Sequence, residues 1–161
     1  MAAAPVIVRA QAPADWRDVE RLIRAYLAEL PFEIDFQDLD RELGELAVEY
    51  GPPRGAALLA RTEDGAAVGF VGVRRFDEAS AELKRMYITP AARGTGAGRA
   101  LGAAAVVAAR ELGYDRLLLD TVDTMTPAIE LYRSLGFVEI DAYRHNPLPG
   151  ARYFALDLTS A

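Results

Sequence analysis

The stretch from Ala81 to Thr121 constrains this chain more than any other part of it. AELKRMYIT at 81–89 reads as a strand, and ARGTGAGRAL at 92–101 places three glycines between two arginines. An alanine-rich helix then runs to Gly113, and the apolar strand DRLLLDT follows at 115–121. A strand, a helix and a second strand in this order form a parallel crossover with the helix lying on one face of the sheet. So little side chain at the head of that helix implies a backbone that must approach something closely.

The remaining elements build around this unit. VIVRA at 6–10 reads as a strand, and Pro13-Ala14-Asp15 opens a helix with Val19, Leu22, Ile23, Tyr26, Leu27 and Leu30 at helical spacing until Pro31 stops it. A second helix is predicted from Asp38 to Tyr50, before the GPPRG punctuation at 51–55. Strands are predicted at 55–62 and 66–76, joined as a hairpin by EDG at 63–65. With AELKRMYIT they make three strands in succession, which favours an antiparallel meander. Thr126-Pro127 marks a further helix start, threonine as the cap and proline in the first turn. That helix closes at Leu135-Gly136, and FVEIDAY and ARYFALDL supply two final strands. The expectation is a mixed sheet covered by helices, in one domain over residues 1–161, without repeats or an interdomain linker.

Charge and composition narrow the function. A formal charge of -6 disfavours a general nucleic-acid binder, which needs a basic face to release counterions from phosphates. The sequence contains no cysteine, so disulfides, thiolate nucleophiles and cysteine-held metals are excluded. A lone histidine, His145, makes an imidazole metal cluster or a serine–histidine hydrolase a poor fit, and no metal is expected. The longest uncharged helical stretch, between Arg99 and Arg110, is about half of the roughly 20 residues that a membrane span needs. A soluble, cytoplasmic protein without membrane or nucleic-acid partners is expected.

The glycines can be set against the known phosphate-binding patterns. A Walker loop needs a lysine after its last glycine, yet the only lysine is Lys84, upstream in a strand. The dinucleotide fingerprint needs glycine at 99, where Arg99 stands, although Asp115 and Asp120 fall about where a ribose-binding acid should lie. Arg93-Gly94-Thr95-Gly96-Ala97-Gly98 instead resembles the R/Q-x-x-G-x-G/A signature of the GNAT acetyltransferase superfamily. AELKRMYITP before it is similar to that family's fourth strand, and LYRSLGF at 131–137 to the end of its fourth helix. The element order from Val6 to Leu158 also agrees.

The resemblance implies an α+β, three-layer α/β/α, GNAT acyl-CoA N-acyltransferase fold. Its mixed and mostly antiparallel sheet would have splayed fourth and fifth strands and about four helices. It implies acetyl-CoA as co-substrate, with the diphosphate on the amides of Gly94, Thr95, Gly96, Ala97, Gly98 and Arg99, and with Arg93 and Arg99 close by. Unpaired N–H groups at the positive end of a helix dipole suit that anion. The main chain of Met86, Tyr87 and Ile88 would pair with the pantetheine arm as an added strand, where a bulge commonly separates the fourth and fifth strands. Glu82, eleven residues before Arg93, would accept the amine's proton, its pKa lifted by partial burial. Tyr132 would donate a proton to the departing thiolate. Tyr26, Phe32, Asp120, Tyr143 and Asn146 would line an acceptor pocket for a small-molecule or peptide amine, and a homodimer is common in the family.

Plainer roles exist for each of these residues. Glu82 can pair with Lys84 across one strand face, and Tyr132 can pack with Ile129, Leu135 and Phe137. Two alternatives to an acetyltransferase stay open at this stage: a module that binds acetyl-CoA without turnover, and a dinucleotide-dependent oxidoreductase.

Overall fold

The computed structural model describes residues 4–31 and 36–159. Seven strands form one sheet in the order β1-β2-β3-β4-β5-β7-β6. They are β1 Val6–Arg9, β2 Ala56–Arg61, β3 Ala67–Arg75, β4 Ser80–Ile88, β5 Arg116–Val122, β6 Val138–Ile140 and β7 Ala151–Asp157. Every neighbouring pair is antiparallel except β4 with β5, which is parallel. The strand, glycine turn, helix and strand unit supplies that crossover, as its sequence predicts.

The helices are α1 Pro13–Glu29, α2 Phe36–Gly44, α3 Leu46–Glu49, α4 Ala97–Glu111 and α5 Thr126–Ser134. The single helix expected from Asp38 to Tyr50 is thus two, separated where Glu45 leaves helical geometry directly after Gly44. At α5 the cap position falls on Met125 with no side-chain cap bond, so Thr126 is the first helical residue and not the cap.

Strand alternation divides the core into two layers. Leu58, Val71 and Val73 pack with Leu101 and Ala105 of α4, while Leu59 and Phe70 pack with Val19, Leu22 and Ile23 of α1. The sheet therefore lies between helices on both faces. No helix among the described residues is long and apolar enough to cross a membrane.

Candidate active site

The site begins where β4 and β5 part. They pair only at Ser80–Arg116, Ala81–Leu117 and Glu82–Leu118. Beyond Leu118, β5 stays bonded to β7, whereas β4 from Leu83 to Ile88 has no strand neighbour on the β5 side. An open backbone edge is therefore presented to the gap, half-buried from Lys84 to Met86, where a ligand's polar groups can pair with it.

A bulge shapes this edge. The β3–β4 register shifts between Phe70 and Gly72, opposite Tyr87 and Lys84, so the extra residue lies in β4 and the bulge disturbs the β3 side of that strand. It lies in β4 along the stretch where that strand has already parted from β5. Arg85 carries it with φ 62, a left-handed conformation that disfavours a long side chain. What holds Arg85 there is a buried anion. Its Nε and Nη2 donate to the carboxylate of Glu42 at 2.8 and 2.9 Å, and the Tyr50 hydroxyl donates to the same carboxylate at 2.9 Å. Glu42 is 2% exposed. Burial raises its carboxyl pKa, but the bonds and charge of Arg85, the Tyr50 hydroxyl and the charge of Arg74 prevail and hold it below the ordinary value. Tyr50 in turn fits because Gly72 lacks a side chain, since a Cβ there would stand 2.4 Å from the Tyr50 ring.

At the outer end of β4, a 3-10 turn over Pro90–Ala92 leads into the glycine loop. Gly94 and Gly96 have φ of 82 and 88, and a Cβ built on either meets nothing within 4 Å. These glycines are required by their backbone conformation, and the space over them is open for a ligand. Gly96 is the N-cap of α4, and the first helical turn closes with Ala100 N–H donating to the Gly96 carbonyl. The amides before Ala100 have no intrahelical acceptor and point out of the helix end, which makes a cradle fit for phosphate oxygens. The two arginines are engaged elsewhere. Arg93 bonds the Ile88 carbonyl and the Glu29 carboxylate, and Arg99 reaches Ser134 of α5.

Two adjoining cavities run from this loop into the gap. The outer one, about 460 Å³, is lined by Tyr87, Ile88, Arg93, Gly98, Pro127 and Leu131 among others. The inner one, about 140 Å³, is lined by Lys84, Arg85, Asp120, Tyr132 and Asn146 among others. Tyr26, Leu30, Met86, Met125 and Ala128 line both, so the cavities share a wall.

The inner cavity gathers the polar groups. Tyr132 is 6% exposed, and its hydroxyl has no hydrogen-bond partner among the described residues, yet no polar side-chain atom of those residues is both sealed from solvent and unpartnered. The hydroxyl therefore opens into the cavity that its residue lines. Burial, followed by the influence of Tyr26 and Asp120, pushes its pKa up, so the phenol keeps its proton well past neutral pH. Asp120 accepts a 3.0 Å bond from Asn146 Nδ2, and Asn146 Oδ1 accepts from the Leu148 amide, which fixes the orientation of the Asn146 amide. Lys84 Nζ lies 4.0 Å from Asp120 Oδ1.

Sequence reasoning placed Tyr26, Tyr132, Asp120, Asn146 and Met86 in the site, and the structure brings them together around the inner cavity. It separates Glu82 and Tyr143 from them, since neither lines either cavity. Glu82 is 1% exposed and enclosed by donors: Arg74 at 3.3 Å, the Tyr143 hydroxyl at 2.8 Å and Arg144 at 3.0 Å. The expected rise in its pKa is reversed. Burial does raise it, but the charges of Lys84 and Arg74, the Tyr143 hydroxyl and the charge of Arg144 hold it below the ordinary carboxylate value. Phe32 lies outside the described residues. Lys84, Arg85 and Glu42 were not singled out for the site, and only Lys84 carried a signal, as the one lysine of the chain.

The model of the Acetyltransferase (GNAT) family matches residues 16–137. The chain belongs to the GNAT family. This GNAT chain is 39% identical over 148 residues to an uncharacterized N-acetyltransferase of Schizosaccharomyces pombe, covering 91% of each. It is 34% identical over 131 residues to the N-acetylaspartate synthetase of Homo sapiens, spanning 81% of this chain but 41% of that one. Its fold is similar to that of a GNAT superfamily phosphinothricin acetyltransferase of Sinorhizobium meliloti, solved in complex with acetyl-CoA, with a TM-score of 0.69 at 19% identity over 95% and 88% of the two chains.

Proposed function

We propose that this GNAT chain is an acetyl-CoA-dependent N-acetyltransferase that moves the acetyl group directly to a primary amine of a small acceptor. One observation carries the reading: two adjoining cavities, both lined by Tyr26, Leu30, Met86, Met125 and Ala128, lie between the head of α4 and the Tyr132 hydroxyl where β4 and β5 have parted. Acetyl-CoA would supply the acetyl group as a thioester. The amides of residues 94–99 would hold its diphosphate, and the main chain of Met86, Tyr87 and Ile88 its arm. The apolar side chains of Leu131, Pro127 and Ile88 would keep water from the outer cavity.

The chain's own groups then divide the proton work. Attack forms a bond from the amine nitrogen to the acetyl carbon, and the bond from that carbon to sulfur breaks. The bonded nitrogen becomes acidic, and its proton passes to water in the inner cavity beside Asp120. Tyr132 gives a proton to the departing sulfur and regains one from that water, so the neutral amine's proton ends on the thiol and the phenol is restored. Glu82, enclosed by its donors, braces the start of β4 against Tyr143 and Arg144. No covalent acetyl-cysteine can form, because the sequence has no cysteine. The relatives named N-acetylaspartate synthetase bring an amino acid into consideration as acceptor.

A thiol-release assay with acetyl-CoA across classes of amine tests the reading. At least one class should give saturable release, and Glu82→Gln should keep kcat within a few-fold while losing thermal stability. Saturable acetyl-CoA binding with no release from any amine would instead indicate a binding module. Binding of NADH but not of coenzyme A would revive the oxidoreductase.

A further inference from the structure

Lys84 is the only lysine of the chain and stands in the wall of the inner cavity. The groups facing it are two anions, Glu82 and Asp120, and two guanidiniums, Arg74 and Arg85. The anions are largely committed. Glu82 accepts from Arg74, Tyr143 and Arg144, and Asp120 accepts from Asn146 through Oδ2. Of the cations, Arg85 is held by both oxygens of Glu42, and Arg74 by Glu82 and Glu49. Lys84 differs from these. Its ammonium makes no hydrogen bond among the described residues, and its nearest carboxylate oxygen is 4.0 Å away, beyond hydrogen-bond reach. Because no polar side-chain atom among the described residues is both sealed and unpartnered, this ammonium also opens into the cavity.

The inner cavity therefore offers a cation without a hydrogen bond beside a carboxylate engaged through only one of its oxygens among the described residues. Its volume, about 140 Å³, is comparable to the roughly 150 Å³ cavity that accommodates a benzene-sized molecule. From these charges and this size, and resting on the acetyltransferase reading above, we infer that the acceptor is a small amino acid whose amine meets Asp120 and whose carboxylate meets Lys84. The 4.0 Å between the two side chains fits an amine and an acid separated by one or two carbons. Burial pulls the Lys84 ammonium below its ordinary pKa, and an arriving carboxylate stabilises the charged form. Polyamines and aminoglycosides fit poorly, because a second cation in the acid's place faces Lys84 across a confined space. A lysine side chain on a protein fits poorly as well, since its neighbourhood brings no carboxylate close to the reacting nitrogen.

The test compares each amino acid with its own carboxamide, for example alanine with alaninamide, in the thiol-release assay. The carboxamide is the more easily deprotonated amine, so intrinsic reactivity favours it and any preference for the acid belongs to the site. The acid form of the best substrate should exceed its amide by about 100-fold or more in kcat/KM, as a site built around a charged partner discriminates against the analogue that lacks it. Lys84→Met should bring that ratio close to unity through a raised KM for the amino acid, with the calorimetric affinity for acetyl-CoA retained. Lys84→Arg, which keeps the charge, should retain part of the preference.

Equal turnover of acid and amide, or an unchanged ratio in a folded Lys84→Met variant, overturns the inference while leaving the acetyltransferase reading in place. Thiol release from no amine at all overturns both. Should Lys84→Met fail to fold, the wild-type comparison of acid with amide decides alone.

Discussion

Tyr132→Phe is expected to lower kcat by about 100- to 1000-fold, the range over which a positioned proton donor acts. The structure makes this substitution unusually clean. The hydroxyl has no hydrogen-bond partner among the described residues, so removing it leaves no buried group unpaired, and the ring can keep its tilted contact with Phe137 at 5.8 Å. Thermal stability and acetyl-CoA affinity should therefore stay close to wild type while the chemical step slows. The pH profile supplies a second readout. Burial and the nearby Tyr26 and Asp120 raise the phenol above its ordinary 10.0, so the wild-type rate should show no loss of a tyrosine acid as pH reaches 10. A kcat within a few-fold of wild type, in steady-state assays with a saturating amine, would remove Tyr132 from the mechanism.

Glu42→Gln is expected to destabilise the fold by about 3–5 kcal/mol, the usual result of leaving a buried charge without its partner. Arg85 then keeps its guanidinium inside the protein with a neutral amide in place of the carboxylate, while still holding φ 62. Urea unfolding measures the loss. The double variant Glu42→Gln with Arg85→Met should recover part of it, because the uncompensated charge is gone. Acid stability gives the sign independently. Glu42 and Glu82 both have folded pKa values below their ordinary 4.5, so the stability they contribute is present above 4.5 and is lost as pH falls through the lower folded values. Glu42→Gln should flatten that part of the stability curve. A loss below about 1 kcal/mol would mean that the bulge does not depend on this ion pair.

These two residues also mark what could and could not be read from the sequence. Tyr132 was legible because it sits at a fixed place in LYRSLGF, and the glycine loop because glycine is the residue that pays least for a positive φ. The strand, helix and strand unit was legible from periodicity and punctuation. Arg85 carried no such mark, since a left-handed arginine exists only where surrounding structure enforces it. Glu42 lies on a polar helix, and nothing local distinguishes a carboxylate that will meet Arg85 across 43 positions of chain from one that will face water. The reversed pKa of Glu82 has the same origin. Burial was foreseeable, but Arg74, Tyr143 and Arg144 converge on it only through the meander and the loop before β7. Asn146 and Asp120 were placed in the pocket, but the bond between them, which orients the wall that faces Lys84, is a tertiary fact.

The central claim is that unpaired amides at the head of α4 and the open edge of β4 together seat acetyl-CoA, with its thioester where the outer cavity adjoins the inner one. A crystal structure with acetyl-CoA bound tests it most directly. The account predicts diphosphate oxygens on the amides of residues 94–99, the arm along Met86 to Ile88, and the sulfur within hydrogen-bond reach of the Tyr132 hydroxyl. A diphosphate seated away from the glycine loop, or an arm that does not enter the gap between β4 and β5, would contradict it.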